Sequence, residues 1–320
     1  MALISSASVQ RLTSIPLLIQ DASWEYPGTQ GIGCNAINAH DTTNFLAFLR
    51  ELRAHPVGKH LILTAATSIF PWVGPNGEQL SNVSGFAKEL DWIAIMNYDI
   101  WGPWSSTVGP NSPLNDTCAS AENQQGSAVS AVAQWSAAGI PTSQIVLGVA
   151  SYGHSFHVNV SDAINDSGSL NAYPPFDAAL QPTGDKWDDG AGVDECGNEN
   201  GPGGDFDFWG LIDAGFLTTS GDVAPHTNYA FDSCSQTVSL YPFQAVLEPH
   251  STINSLQAYV YHEQSEVMVS FDDARAFTAK GQFIKHTKLR GFAMWEAGGD
   301  FNDILLDAIR FGAGATSSLG

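Results

Sequence analysis

Short, continuously apolar runs alternate with segments of helical period along this chain, and that alternation narrows the folds open to it. The runs are Ile15–Ile19, His60–Ala66, Asp91–Tyr98, Ile145–Ala150 and Arg290–Trp295. A strand with one face in water alternates apolar and polar residues; these runs do not, so both of their faces must be covered. Between them, Asp41–Ala54 reads as a helix with Phe45, Leu49 and Leu52 on one face, Phe48 beside it and His55-Pro56 as its stop. Ser127–Ala138 reads as a helix of small residues ended by Gly139 and Pro141, and Asn302–Phe311 as another. Strands of this kind separated by helices predict an α/β protein built on a parallel sheet.

Residues 155 to 285 break the rhythm. Asp185–Asp207 is rich in Gly, Asp and Asn and contains Pro202, which is loop chemistry. Tyr259–Phe271 reads as two short antiparallel strands around a polar turn, and Ser270–Thr287 as a helix carrying Ala274, Phe277 and Phe283. An α+β insertion ahead of the last strand is the expectation. The acidic run Asp188–Glu199 matches no EF-hand spacing and reads as a solvated loop, so no metal site is expected.

Charge decides which partners are excluded. The chain has 33 acidic residues against 12 Lys and Arg, a formal net charge of −21. So few cations cannot track a phosphate backbone, and an anionic membrane surface is disfavoured for the same reason. No run approaches the ~20 apolar residues of a membrane span. A neutral or cationic ligand remains. Nine Trp, eight Tyr and seventeen Phe are enough to line a sugar cleft as well as a core. The four cysteines, Cys34, Cys118, Cys196 and Cys234, fit a secreted chain with two disulfides. Three pairings are possible, and Cys34–Cys118 with Cys196–Cys234 is the one expected. No Cys-x-x-Cys pair suggests zinc or a thioredoxin-like site. Sequons at Asn82, Asn115, Asn159 and Asn165 also point to secretion, although Met1–Ser8 lacks the basic and apolar regions of a signal peptide.

The chemistry-bearing residues fall at the ends of the apolar runs. Asp21-Ala-Ser-Trp-Glu-Tyr26 follows the first of them and precedes Pro27-Gly28. A Glu25 carboxyl beside Trp24 and Tyr26 is expected to be partly desolvated, which raises its pKa and suits it to protonating a leaving oxygen. Met96-Asn-Tyr98-Asp99 closes the third run, and Trp101-Gly-Pro-Trp104 follows it. Ile145–Phe156 contains Tyr152 and His154, and Gly291–Trp295 ends in a tryptophan. No Gly-x-Ser-x-Gly elbow and no His-Glu-x-x-His pair occurs, which disfavours serine and zinc hydrolases.

In this order and spacing, over residues 21 to 310, these motifs resemble family 18 of the glycoside hydrolases, the chitinases. That family carries Asp-x-Asp-x-Glu with Trp before the Glu and Tyr-Pro after it, then Met-x-Tyr-Asp, then a strand reading Tyr-Gly-Arg-Ser-Phe, then a final strand whose Trp floors the sugar site. The resemblance implies a (β/α)8 TIM-barrel type fold with catalytic residues at the carboxyl ends of strands. It implies substrate-assisted, retaining cleavage of β-1,4-linked N-acetylglucosamine polymers, in which the acetamido carbonyl attacks the anomeric carbon. Glu25 would be the acid and then the base, with Asp21, Tyr98 and Asp99 as its catalytic companions. Tyr98 would hydrogen-bond the acetamido oxygen, while Met96 and Asp99 shape the pocket around it. Trp295 would lie under the distorted sugar and Trp104 on the leaving side. Trp24, Tyr26 and Tyr152 complete the implied binding set. No cofactor is implied. The implied partners are chitin or chito-oligosaccharides, the implied location is extracellular, and a monomer is expected.

Three departures stand out. Ser23 replaces the second Asp of the motif, which in the family accepts the acetamido N–H and offsets positive charge on the oxazolinium. His154 replaces the usual Arg. The motif strand is the fourth of eight in the family, so an incomplete barrel of strands four to eight is expected, with Met1–Gln20 standing in for other sequence. On that reading residues 1–154 form a partial barrel carrying the catalytic motif, 155–285 the insertion, and 286–320 the last strand, its helix and a tail. Crippled hydrolysis is the leading expectation. A non-hydrolytic chitin-binding protein that keeps the aromatic cleft is the alternative.

Overall fold

The computed structural model describes residues 19–232 and 257–315. Strand β1, Ile19–Ala22, starts at the last residue of the Ile15–Ile19 run and carries Asp21; the earlier residues of that run lie outside the described ones. Helix α1 occupies Asp41–Ala54 and buries Phe45 and Leu49, whereas Phe48 is exposed. Strand β2 (Ile62–Thr67), short helix α2 (Ser84–Ala87) and strand β3 (Trp92–Ile95) follow. Helix α3, Ala128–Ala137, is started by Ser127 through a reciprocal capping box with Ser130. It leads into β4, Ile145–Ala150, a strand buried along its whole length.

The chain then leaves this sheet. Strand β5 (Tyr152–His157), helix α4 (Val160–Ala163), strands β6 (Gly192–Val193), β7 (Glu199–Asn200) and β8 (Asp205–Asp207), helix α5 (Phe208–Asp213) and strands β9 (Asn228–Asp232), β10 (Gln257–His262) and β11 (Val267–Phe271) form the α+β segment. Helix α6 (Ala274–Thr287), capped by the Asp273 carboxylate on the Ala276 N–H, leads to β12 (Gly291–Trp295) and α7 (Ile304–Ala313). Among the described residues the parallel sheet runs β1-β2-β3-β4-β12, and an antiparallel sheet runs β8-β5-β11-β10-β9. The continuous apolar runs thus lie in the parallel sheet, and β10 and β11 pair antiparallel as the polar turn between them requires.

Aromatic packing fills the space between α1, α2, α3 and the sheet. The Trp72 ring stands 4.2 Å from Phe86 and edge-on to Trp135 at 4.9 Å, and the Trp135 indole N–H donates to the Ser68 carbonyl at 3.0 Å. Trp135 is fully buried, while Trp104, Trp187 and Trp295 are more than half exposed. The tryptophans therefore divide between core and surface.

The disulfide pairing differs from expectation. Cys34 bonds Cys196, with Cα atoms 5.7 Å apart, so the loop after β1 is stapled to the acidic loop between β6 and β7. Cys118 is disulfide-bonded as well, and Cys234 lies outside the described residues. Sequence separation could not choose this pairing, because it depends on how the long acidic loop folds back over the first one. Ahead of that loop the Asp188 carboxylate accepts the N–H groups of Gly184, Gly204 and Asp205, while most of the acidic run that follows is exposed.

Candidate active site

Strand pairing sets the first residues in place. Asp21 lies opposite Thr64 in the β1–β2 register, and the Thr64 hydroxyl donates to its carboxylate. Two residues on, the Ser23 hydroxyl donates to Glu25 Oε1 at 2.6 Å. Asp21, Ser23 and Glu25 are all exposed. Glu25 is exposed rather than desolvated: Trp24 is turned inward onto Phe45, with ring centroids 5.8 Å apart, while Tyr26 is half-buried and its phenol is pushed up first by that burial and then by the Glu25 charge.

The β3 terminus supplies Met96, Tyr98 and Asp99. Met96 is half-buried and its N–H bonds the Thr67 carbonyl at 2.8 Å. Tyr98 lies across β4 at Gly148, where an added Cβ would sit 2.9 Å from the tyrosine ring and 2.5 Å from the Ile95 carbonyl, so only glycine lets the ring settle there. Burial, and then the Asp99 charge, push the Tyr98 phenol well above its usual range, so it stays a hydrogen-bond donor at any working pH. Asp99 takes a left-handed backbone, φ 57°, which is uncommon for a residue with a side chain. Its N–H is held by Asn111 Oδ1 at 2.8 Å, and the Asn111 amide in turn donates to the Tyr152 carbonyl at 3.1 Å.

The Asp99 carboxylate is clasped. Tyr152 donates its hydroxyl to Oδ1 at 2.5 Å, and His154 Nε2 reaches the same oxygen at 2.9 Å. The other ring nitrogen, Nδ1, lies 2.5 Å from Asp205 Oδ1. An imidazole with a carboxylate at each nitrogen must donate from both, which makes it an imidazolium. Burial alone would push His154 down; hydrogen bonds and charges from Asp205 and Asp99 outweigh it and hold the ring at about 9 against an ordinary 6.5. Burial likewise raises Asp99, but the His154 hydrogen bond and charge and the Tyr152 hydroxyl bring it below the usual carboxylate range. A histidine here does the work of a fixed cation while remaining titratable.

That titration has a direction. Because the folded value lies above the unfolded one, the stabilisation is complete below pH 6.5 and is lost as pH rises through about 9. The shift corresponds to about 3 kcal/mol. Melting temperature is expected to fall between these limits in the intact chain, and His154→Arg to flatten the profile. An unchanged slope in the Arg variant would show that some other group carries the loss.

Aromatic residues flank these polar groups. Trp295, 60% exposed, ends β12 with its carbonyl bonded to the Ser151 N–H at 2.9 Å. Trp104, 64% exposed, stands edge-on to His154 at 5.2 Å. The Tyr98 and Tyr152 rings lie 6.1 Å apart, and Tyr152 donates to Asp99, the residue after Tyr98. The sequence reading did not select His154, Asp205, Asn111 or Asp207. His154 was visible as a departure inside its motif, whereas Asp205 and Asp207 carry no local signal and reach the site only because β8 pairs with β5. Burial, and then the charges of Asp185 and Glu296, raise Asp207 to about 7.

Known proteins fit this arrangement. The profile of glycosyl hydrolases family 18 matches residues 21–300. A "chitinase-like effector" of Moniliophthora perniciosa is 52% identical over 92% of this chain and 62% of that protein. A protein of the same description from Moniliophthora roreri is 50% identical over 92% of this chain and 67% of its own length. Among solved structures, a chitinase from Rhizomucor miehei superposes with a TM-score of 0.76 at 27% identity, covering 92% of this chain and 72% of that one. The chain belongs to glycoside hydrolase family 18 and has its chitinase-type α/β fold. It spans about two thirds of the length of the two effectors it matches.

Proposed function

We propose that this chain binds N-acetylglucosamine oligomers across the carboxyl ends of its parallel strands and cleaves them slowly, with retention, by substrate assistance. One observation carries the reading: Glu25 stands at the end of the motif strand with a hydroxyl, not a carboxylate, as its close neighbour, Ser23 Oγ at 2.6 Å. The acid–base group is present and the charge that would support it is not. Glu25 protonates the glycosidic oxygen and then takes a proton from water. Tyr98 donates to the acetamido oxygen and fixes its approach to the anomeric carbon. The clasped Asp99 and Met96 bound the pocket, Asp21 completes the motif, and Trp24 and Tyr26 set the strand end. Trp295 and Trp104 stack on the sugars either side of the scissile bond. The five parallel strands are assigned as the last five of an eight-stranded barrel.

Binding without turnover is the second reading. It is favoured by the description of the two relatives as chitinase-like effectors, each about as similar to this chain as the other. Both readings are separated by incubating the chain with chitotetraose beside a Glu25→Gln variant and analysing the products. Chitobiose that appears only with Glu25 intact supports slow hydrolysis, with a loss of at least ~100-fold expected in the variant. Binding of the tetramer with no product from either protein supports the second reading and removes the first.

A further inference from the structure

Cations are scarce in this chain, yet four of its twelve Lys and Arg residues line one pocket. Arg53, Lys59, Lys88 and Arg290 surround an open space of about 750 Å³, with His60 and Gln144 beside them. The pocket lies at the amino ends of the parallel strands. The segments entering β2, β3 and β12 carry Lys59, Lys88 and Arg290, and the turn before β4 carries Gln144. Glu25, Tyr98 and Trp295 belong to the opposite, carboxyl ends of those strands; along β12 alone, Gly291 to Trp295 spans ~13 Å. The pocket is therefore separate from the cleft.

Its charge is uncompensated. Among the described residues Asp91 is the one acidic group that lines it, and that carboxylate is already engaged: it takes Arg53 Nη2 at 2.6 Å and the Leu63 N–H at 2.8 Å. The neighbouring Glu89 carboxylate turns to Arg50 at 3.8 Å. Lys59, Lys88 and Arg290 are exposed, and none of them forms an ion pair with a carboxylate among the described residues. The loops that carry them are fixed. The Arg53 guanidinium donates to the carbonyls of Glu89, Gly58 and Leu61 at 2.7, 3.2 and 2.6 Å, which ties the loop of Lys59 to that of Lys88. The Gln144 amide donates to the carbonyls of Ala87 and Leu90, both at 3.0 Å, on either side of Lys88. The Arg290 guanidinium rests on the Trp92 ring, 4.4 Å from its centroid. A guanidinium stacked on an aromatic face keeps its in-plane N–H groups for a second partner.

We infer that this pocket binds a small, multiply charged oxyanion, a diphosphate or a compact molecule bearing more than one phosphate or sulfate, between Lys59, Lys88 and Arg290. Arg290 offers a fork to two oxygens of one group, and the lysines are point charges for the next. Composition as a whole argues against an anionic ligand, but the local distribution of charge reverses that here. A long polyanion would run onto the acidic remainder of a chain of net charge −21; a small one does not. Isothermal titration calorimetry of the whole chain with pyrophosphate, in metal-free buffer, tests the assignment. Pyrophosphate is expected to bind about tenfold more tightly than orthophosphate. The double variant Lys59→Gln, Lys88→Gln is expected to weaken pyrophosphate about tenfold, and Arg290→Gln to do the same. Both lysines are exposed, so the fold does not depend on them. Lys186→Gln, whose lysine pairs with Asp213 at 3.6 Å outside this pocket, is expected to change nothing. Equal weakening by Lys186→Gln would reveal a response to net charge alone and overturn the site. Pyrophosphate binding that the double variant leaves intact, or no binding up to ~10 mM, overturns it as well.

Discussion

Ser23→Asp is expected to raise turnover of chitotetraose by about 10²–10³-fold, the usual effect of restoring one preorganised electrostatic partner. The reason lies in how the carboxylates around Glu25 are already engaged. Asp21 accepts the Thr64 hydroxyl, and Asp99 takes both the Tyr152 hydroxyl and the His154 N–H on a single oxygen. Neither is placed as Ser23 is, within hydrogen-bond distance of Glu25. On the proposed substrate-assisted mechanism, attack by the acetamido group develops positive charge on the oxazolinium, and the Ser23 hydroxyl can accept its N–H but cannot offset its charge. A carboxylate at position 23 would do both. It would also face Glu25 closely enough that the two could not both ionise freely, so a proton would be retained where the leaving oxygen needs it. Ser23→Asn separates charge from shape: it has the size and accepts the hydrogen bond, yet should leave turnover where it is. The gain is read from the rate of chitobiose release under saturating substrate. No gain from Ser23→Asp would mean that the missing charge is not what limits the chain.

How much of this was legible in the sequence depended on distance along the chain. The parallel strands are legible because their runs are apolar without alternation, although β4 is buried along its whole length while β12 is partly exposed, and α1 is legible because Phe45 and Leu49 recur at helical spacing. Tyr98 and Trp295 are legible near strand ends because the runs that carry them end there, whereas Glu25 follows β1 by three residues and Tyr152 opens β5. What failed to show was everything set by folding back. The Cys34–Cys196 bond joins residues 162 apart in sequence, and the loop that brings them together has no periodicity to read. Asp205 sits in a Gly- and Asp-rich stretch that looks solvated, and becomes a partner of His154 only through the pairing of β8 with β5. The exposure of Glu25 is not legible for a related reason: adjacency to Trp24 in sequence does not place that ring over the carboxylate, and it packs on Phe45 instead.

The largest expected loss of stability is at Lys280, where Lys280→Met should cost about 3–5 kcal/mol. Lys280 and Asp272 are completely buried and bonded to each other, and the ammonium also donates to Ser112 Oγ at 2.7 Å. The Ser112 hydroxyl passes the connection on to the Asn97 carbonyl at 2.5 Å, one residue before Tyr98. A single cation on α6 thereby ties the end of β11 to the loop that follows β3. Removing it leaves a buried carboxylate without its counter-charge. Burial, tempered by Lys280, already holds Asp272 at about 6 against 3.8, and with the lysine gone its value must rise further. The folded variant then retains a proton that the unfolded chain releases near pH ~4. A folded state that binds more protons than the unfolded one loses stability as pH rises, so the deficit of Lys280→Met should be larger at pH 8 than at pH 5. Adding Asp272→Leu removes the stranded charge and should recover much of the loss and abolish that pH dependence, since an apolar pair of similar volume can replace a buried ion pair at little cost. Urea unfolding of the two variants at both pH values measures this directly. A Lys280→Met deficit below ~1 kcal/mol, or one independent of pH, would show that water or a rearranged neighbour already satisfies Asp272 in the folded chain.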